Sequence, residues 1–160
     1  MKLIKTFACS SAIAIAFAAV APIAAAATIG PAGASFSAPG TINVSTPIAP
    51  NVSCGITLSG VVSTDGTYAQ INSVAITGGG LCGVPQIIGL PWKLVATSTT
   101  TGNVANVGFS VLGANCGPST INGAWSNGTN TLSASNQPLS GNCKVNSLSV
   151  SPNPAFTVSP

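Results

Sequence analysis

Trp92-Lys93-Leu94-Val95-Ala96-Thr97 and Val107-Gly108-Phe109-Ser110-Val111-Leu112 are the two stretches that decide the fold class. In the first, Trp92, Leu94 and Ala96 share one side of an extended chain, and Lys93, Val95 and Thr97 share the other. In the second, Val107, Phe109 and Val111 oppose Gly108, Ser110 and Leu112. A period of two is the signature of a β-strand with one face turned to a core. Shorter runs repeat the pattern. Ile42 and Val44 oppose Asn43 and Ser45, and Val74 and Ile76 oppose Ala75 and Thr77. No stretch shows a convincing 3.6-residue period. Between the runs stand Gly, Pro and Asn. Asp65-Gly66 and Asn127-Gly128 are the strongest turn signals, because both dipeptides tolerate the positive φ of a tight hairpin. These features predict an all-β fold: a small, disulfide-braced antiparallel β-sandwich or barrel.

Charge is almost absent. From Thr28 onward the charged side chains are Asp65, Lys93 and Lys144, and the chain has no histidine. The whole sequence is 3% charged, against about a quarter in ordinary domains. General acid–base catalysis needs a titratable group held near its working pKa, so most hydrolase, transferase and metalloenzyme chemistries are disfavoured. A Ser-His-acid or Cys-His arrangement has no histidine to use. A Ser-Lys pair would have to recruit Lys93 or Lys144. Lys93 reads better as an outward side chain on its strand, and Lys144 as a solvated residue beside a disulfide. Asp65 reads as a turn residue. The net charge of +3 is largely that of Lys2 and Lys5, so no basic patch is left for phosphates, and nucleic acid is not an expected partner. The chain is nevertheless rich in Val, Ile and Leu, unlike disordered sequences.

Four cysteines follow the leader: Cys54, Cys82, Cys116 and Cys143. With no CxxC pair and no histidine, zinc is a poor fit. An even number in an exported chain points to two disulfides, with three pairings open. An internal repeat favours one of them. Cys54-Gly55 and Cys116-Gly117 each precede a Gly-Thr pair, Gly66-Thr67 and Gly128-Thr129, at the same distance. A second cysteine then follows Gly78-Gly79-Gly80 in one half and Ser140-Gly141 in the other. Two related halves, each with its own hairpin and disulfide, give Cys54–Cys82 and Cys116–Cys143. Each bond would close a loop of roughly 30 residues, contributing about 3–4 kcal/mol in the chain-entropy model.

The ends read differently. Residues 1–26 have the form of a signal peptide: basic Lys2 and Lys5, an apolar run from Ala12 to Ala21, the break at Pro22 and small residues at Ala24-Ala25-Ala26. Residues 27–160 then form a single all-β domain with no transmembrane segment, secreted to the extracellular side. Within it, residues 28–50 carry Pro31, Pro39, Pro47 and Pro50 and read as a Pro/Ser/Thr/Ala-rich N-terminal arm or edge strand. A last short strand is expected at Phe156–Val158. Gly78-Gly79-Gly80 lacks the lysine and helix of a phosphate loop and reads as a turn. Trp92 and Trp125 read as core residues, with an apolar binding surface as the alternative.

Several of these segments belong together: Ala38-Pro39-Gly40, Leu81-Cys82-Gly83-Val84-Pro85, Leu90-Pro91-Trp92, Val107-Gly108-Phe109, Cys116-Gly117-Pro118-Ser119-Thr120, and Leu139 to Cys143 followed by Ser147-Leu148-Ser149-Val150. In this order and spacing they closely resemble the secreted bacterial activators of alkane oxidation, the PraB family, over nearly the whole chain. The resemblance implies a small exported protein that stimulates oxidation of long-chain alkanes by intact cells. It carries over no catalytic residue and no cofactor. The residues agree: without a haem ligand, a flavin fold or a carboxylate–histidine iron site, this domain does not itself oxidise an alkane. The first functional expectation is a non-enzymatic activator that meets hydrocarbon or the cell surface. The alternative is a self-assembling extracellular fibre or biofilm-matrix subunit, since its strands have few charged gatekeepers. In that reading the 41–46 strand is donated to a neighbouring copy.

Overall fold

Alternation along each strand sends Ser, Thr and Asn to one side and aliphatic side chains to the other, and the sheet closes around the aliphatic side. The structure, a computed structural model, describes residues 26–160. The leader read over residues 1–26 lies, but for its last residue, outside them. The strands are β1 (Thr28–Gly30), β2 (Ser35–Ser45), β3 (Val52–Val62), β4 (Ala69–Thr77), β5 (Gln86–Ile88), β6 (Trp92–Ala96), β7 (Thr101–Val111), β8 (Ala114–Ser126), β9 (Thr131–Leu139), β10 (Cys143–Val150) and β11 (Thr157–Ser159). Eight of them pair in the cyclic order β7-β6-β4-β3-β2-β10-β9-β8, and β8 pairs back onto β7. Every pairing is antiparallel. Of sandwich and barrel, the fold is the barrel. A closed ring of eight strands has an interior just wide enough for side chains.

The inward set is Ile56 and Leu58 on β3, Trp92 and Leu94 on β6, Val107 and Phe109 on β7, and Val145 and Leu148 on β10, all buried. The outward positions between them, such as Ser53, Ser133, Ser147 and Ser149, are exposed. This is the reverse of an outer-membrane barrel, whose apolar band faces outward. No described helix is long and apolar enough to cross a membrane.

β2 corrects the reading of residues 28–50 as an arm or edge strand. It pairs with β3 from Ser35 to Val44 and with β10 from Gly40 to Ser45, so it is an interior strand of the barrel. Pro39 is tolerated because its carbonyl faces β10, accepting from the Ser151 amide at 3.0 Å. The donor that proline lacks therefore lies past the last ladder pair, Gly40–Val150, and the β3 ladder loses nothing. At Gly40 the strands come so close that a Cβ would overlap the Ser149 carbonyl.

The termini close one end. β1 and β11 form a two-stranded sheet whose buried Ile29 and Val158 meet Trp125, Leu132 and Phe156. The Phe156 ring stands edge-on to Phe36 at 4.9 Å. Asn127 clamps β11: its Oδ1 accepts from the Trp125 Nε1 (2.7 Å) and the Val158 amide (2.9 Å), and its Nδ2 donates to the Val158 carbonyl (2.9 Å). The expected tight Asn127-Gly128 hairpin is instead a four-residue turn, with Asn130 at φ 49°. The side chain of Asn127 is engaged with the C-terminus, and Asn130 takes the left-handed position.

Candidate functional site

The end opposite β1 and β11 is built from four connections: β2–β3 (residues 46–51), β4–β5 (78–85), β7–β8 (112–113) and β9–β10 (140–142). Here the barrel wall has a seam. β4 pairs with β6 only from Ala69 to Ile71. At the next residue, Asn72, the β3–β4 register slips by one, and a bulge of this kind bends its strand. Beyond it β4 pairs with β3 alone, while β5 continues the line of β6 along β7. The Gly80–Gly83 3₁₀ turn follows β4 at this end, packed on β3 and β4 and tied to β3 by Cys54–Cys82 (Cα–Cα 5.6 Å). Cys116 and Cys143 join β8 to β10 at the same end (Cα–Cα 5.5 Å). Gly78-Gly79-Gly80 forms the turn into the 3₁₀ segment, with the Cys82 amide donating to the Gly79 carbonyl.

Inside this end lies an apolar cavity of about 60 Å³. Its deep wall is Ile56, Leu58, Trp92, Val107, Phe109 and Val145, all buried. Its outer wall is half-buried: Ile42 and Val44 from β2, Val74 and Ile76 from β4, Leu81 and Pro85 from the turn, and Ile87 from β5. Among the described residues, Thr46 is the one hydroxyl- or amide-bearing side chain in the lining. Its hydroxyl is engaged, donating to the Ala49 carbonyl (3.3 Å) and accepting from the Ala49 amide (3.1 Å). The Trp92 indole N–H is also committed, to the Ile88 carbonyl at 2.9 Å. A guest would therefore meet hydrocarbon and no free donor or acceptor.

The loops around this end carry exposed aliphatic side chains: Ile48 (53% exposed), Val84 (38%) and Leu112 (66%). Leu112 stands out. It occupies the two-residue turn between β7 and β8 with φ 47°, followed by Gly113 at φ 85°. Positive φ at both positions is the type I′ hairpin geometry, where Asn-Gly or Asp-Gly is usual. A leucine there costs about 1–2 kcal/mol in backbone strain.

The titratable residues singled out in the sequence are scattered. Asp65 is in the β3–β4 turn, at the far end. Its Oδ1 accepts from the Ser63 hydroxyl (2.6 Å), the Thr67 amide (3.0 Å) and the Thr67 hydroxyl (2.8 Å). Those bonds, the Ser63 one first, hold its carboxyl down to about 2. The Lys93 ammonium lies over the Tyr68 ring, 4.4 Å from its centre. Lys144 points outward between the inward Cys143 and Val145. None of the three lines the cavity. Of the two tryptophans, Trp92 lines it and Trp125 belongs to the closed end.

A family model described as alkane oxidation protein activator PraA/PraB-like matches residues 1–160, the whole chain. The chain belongs to this family. No curated protein and no solved structure matches it. The name of the PraA/PraB-like family marks an activator of alkane oxidation, and this member is an eight-stranded barrel with an apolar interior. The disulfides of this PraA/PraB-like chain fit an oxidising compartment of the extracellular kind.

Proposed function

We propose that the protein is a secreted, non-enzymatic activator of alkane oxidation that adsorbs at the boundary between cell and hydrocarbon through the loops at the cavity end of the barrel. Leu112 carries this reading. An aliphatic side chain held at 66% exposure in a left-handed turn is destabilising for the isolated fold, and a backbone outlier of that kind points to a role outside the fold. Ile48 and Val84 extend the apolar lip. At an oil surface these side chains leave water without unfolding anything, each contributing its exposed fraction of the roughly 1.5–3 kcal/mol that complete burial of such a side chain brings. The oxidation itself belongs to another protein; this one brings hydrocarbon and cell together.

The test is Leu112→Asn in the purified, oxidised protein. Asparagine suits the turn, so the variant should be more stable by about 1 kcal/mol in urea unfolding and yet bind hexadecane droplets more weakly. A variant that is stabilised and still adsorbs like the parent would remove the lip from the mechanism. Adsorption of the parent no greater than that of an inert protein would remove the interfacial reading altogether.

A further inference from the structure

The cavity behind the lip has a shape and chemistry of its own. An eight-stranded barrel is about one side chain wide inside, so an occupant must be slender. The free volume of about 60 Å³ corresponds to roughly four to six water-sized units, yet water needs polar partners that this lining does not offer. Thr46 and Trp92 have spent their hydrogen bonds within the wall. Among the described residues no lining side chain is charged, so an ionised head group meets no counter-ion from them. The outer wall is half-buried and aliphatic on β2, β4 and β5, so a guest entering past the seam would meet apolar side chains throughout.

We infer that this cavity binds the end of a single linear, uncharged alkyl chain, its last few carbons inside the barrel against Trp92, Val107 and Phe109 and the remainder lying along the seam past Val74, Ile76 and Ile87. The inference deepens the hydrocarbon-contact reading given above: the protein holds individual alkane molecules as well as meeting their surface. Affinity should rise about fourfold for each methylene that enters the cavity, then level off once further carbons lie outside. Partition into a nonspecific apolar phase shows no such plateau.

The two tryptophans supply the measurement. With Trp125→Phe, Trp92 reports the cavity; with Trp92→Phe, Trp125 reports the closed end. Titrating each full-length oxidised protein with 1-bromodecane should give saturable quenching of Trp92, reversed by n-decane, and little quenching of Trp125. Decanoate should compete at least tenfold more weakly than decane, and bulky 1-bromoadamantane should not quench Trp92. Ile76→Phe, which fills the seam, should abolish the Trp92 effect. Equal quenching of both tryptophans, quenching that never saturates, or an unchanged Ile76→Phe protein would overturn the inference. Should either tryptophan variant fold poorly, methyl NMR of the parent replaces it. Decane should then shift Val74, Ile76, Ile87 and Val107 but leave Ile29 and Val158 in place, and shifts spread over both groups, or none, would count against the site. Cavity binding and droplet adsorption are separate readouts. Loss of adsorption in Leu112→Asn with Trp92 quenching intact supports both readings. Trp92 quenching by a parent that ignores droplets overturns only the interfacial one, and adsorption without quenching overturns only the cavity.

Discussion

Asp65 is the chain's only acidic side chain and there is no histidine, so a single residue governs how stability responds to acid. Its carboxyl is held at about 2 when folded, against an ordinary 3.8, because two hydroxyls and an amide donate to it. The folded state thus takes up the proton less readily than the unfolded one. The stabilisation is complete above about pH 4 and is lost as pH falls toward about 2. The melting temperature should be nearly constant from about pH 5 to 8 and drop below about pH 4, and Asp65→Asn should flatten most of that drop. Asn127 shows what a turn residue can do beyond turning. Asn127→Ala would leave the buried Trp125 N–H without its acceptor and release Val158. Urea unfolding should show a loss of about 2–3 kcal/mol, with faster hydrogen exchange at the Val158 amide.

Among the elements, β4 and the segment after it decide the shape of the open end. β4 leaves β6 at the slip at Asn72, and the 3₁₀ turn that follows β4 is fastened to β3 by Cys54–Cys82. Peptide mapping of the oxidised protein should recover Cys54 with Cys82 and Cys116 with Cys143. The double variant Cys54→Ala/Cys82→Ala should lower stability by about 3–4 kcal/mol. Both units of the internal repeat follow one course. A cysteine sits near the start of a long strand, a turn follows at the closed end, and the second cysteine comes after the return strand. They differ where the second cysteine lands, in a 3₁₀ turn for Cys82 and at the head of β10 for Cys143. β10 has its own slip, and Asn146 fills it by donating to Asn43 Oδ1 (2.6 Å) and Ser45 Oγ (2.8 Å), which pins the register of β2.

For the whole molecule, closure is the governing fact. β2 lies between β3 and β10 and contributes Phe36, Ala38, Ile42 and Val44 to the interior. Deleting residues 28–46 should therefore unfold the protein, with loss of its near-ultraviolet circular dichroism. A folded monomer after that deletion would instead restore the donor strand of a fibre. The sequence by itself determined the strand character, the inward faces at Ile42/Val44, Val74/Ile76, Trp92/Leu94/Ala96 and Val107/Phe109/Val111, and the scarcity of titratable chemistry. Each is a local property: alternation, turn residues or a count of side chains. Only the tertiary structure decided that these faces close on one another, that β2 is interior, that Asn72 opens a seam and that Leu112 sits in a left-handed turn. Those depend on which strand neighbours which, and on registers that slip by a single residue. Alternation says which side chains turn inward, but the partners across the barrel, and the space left between them, are set by closure.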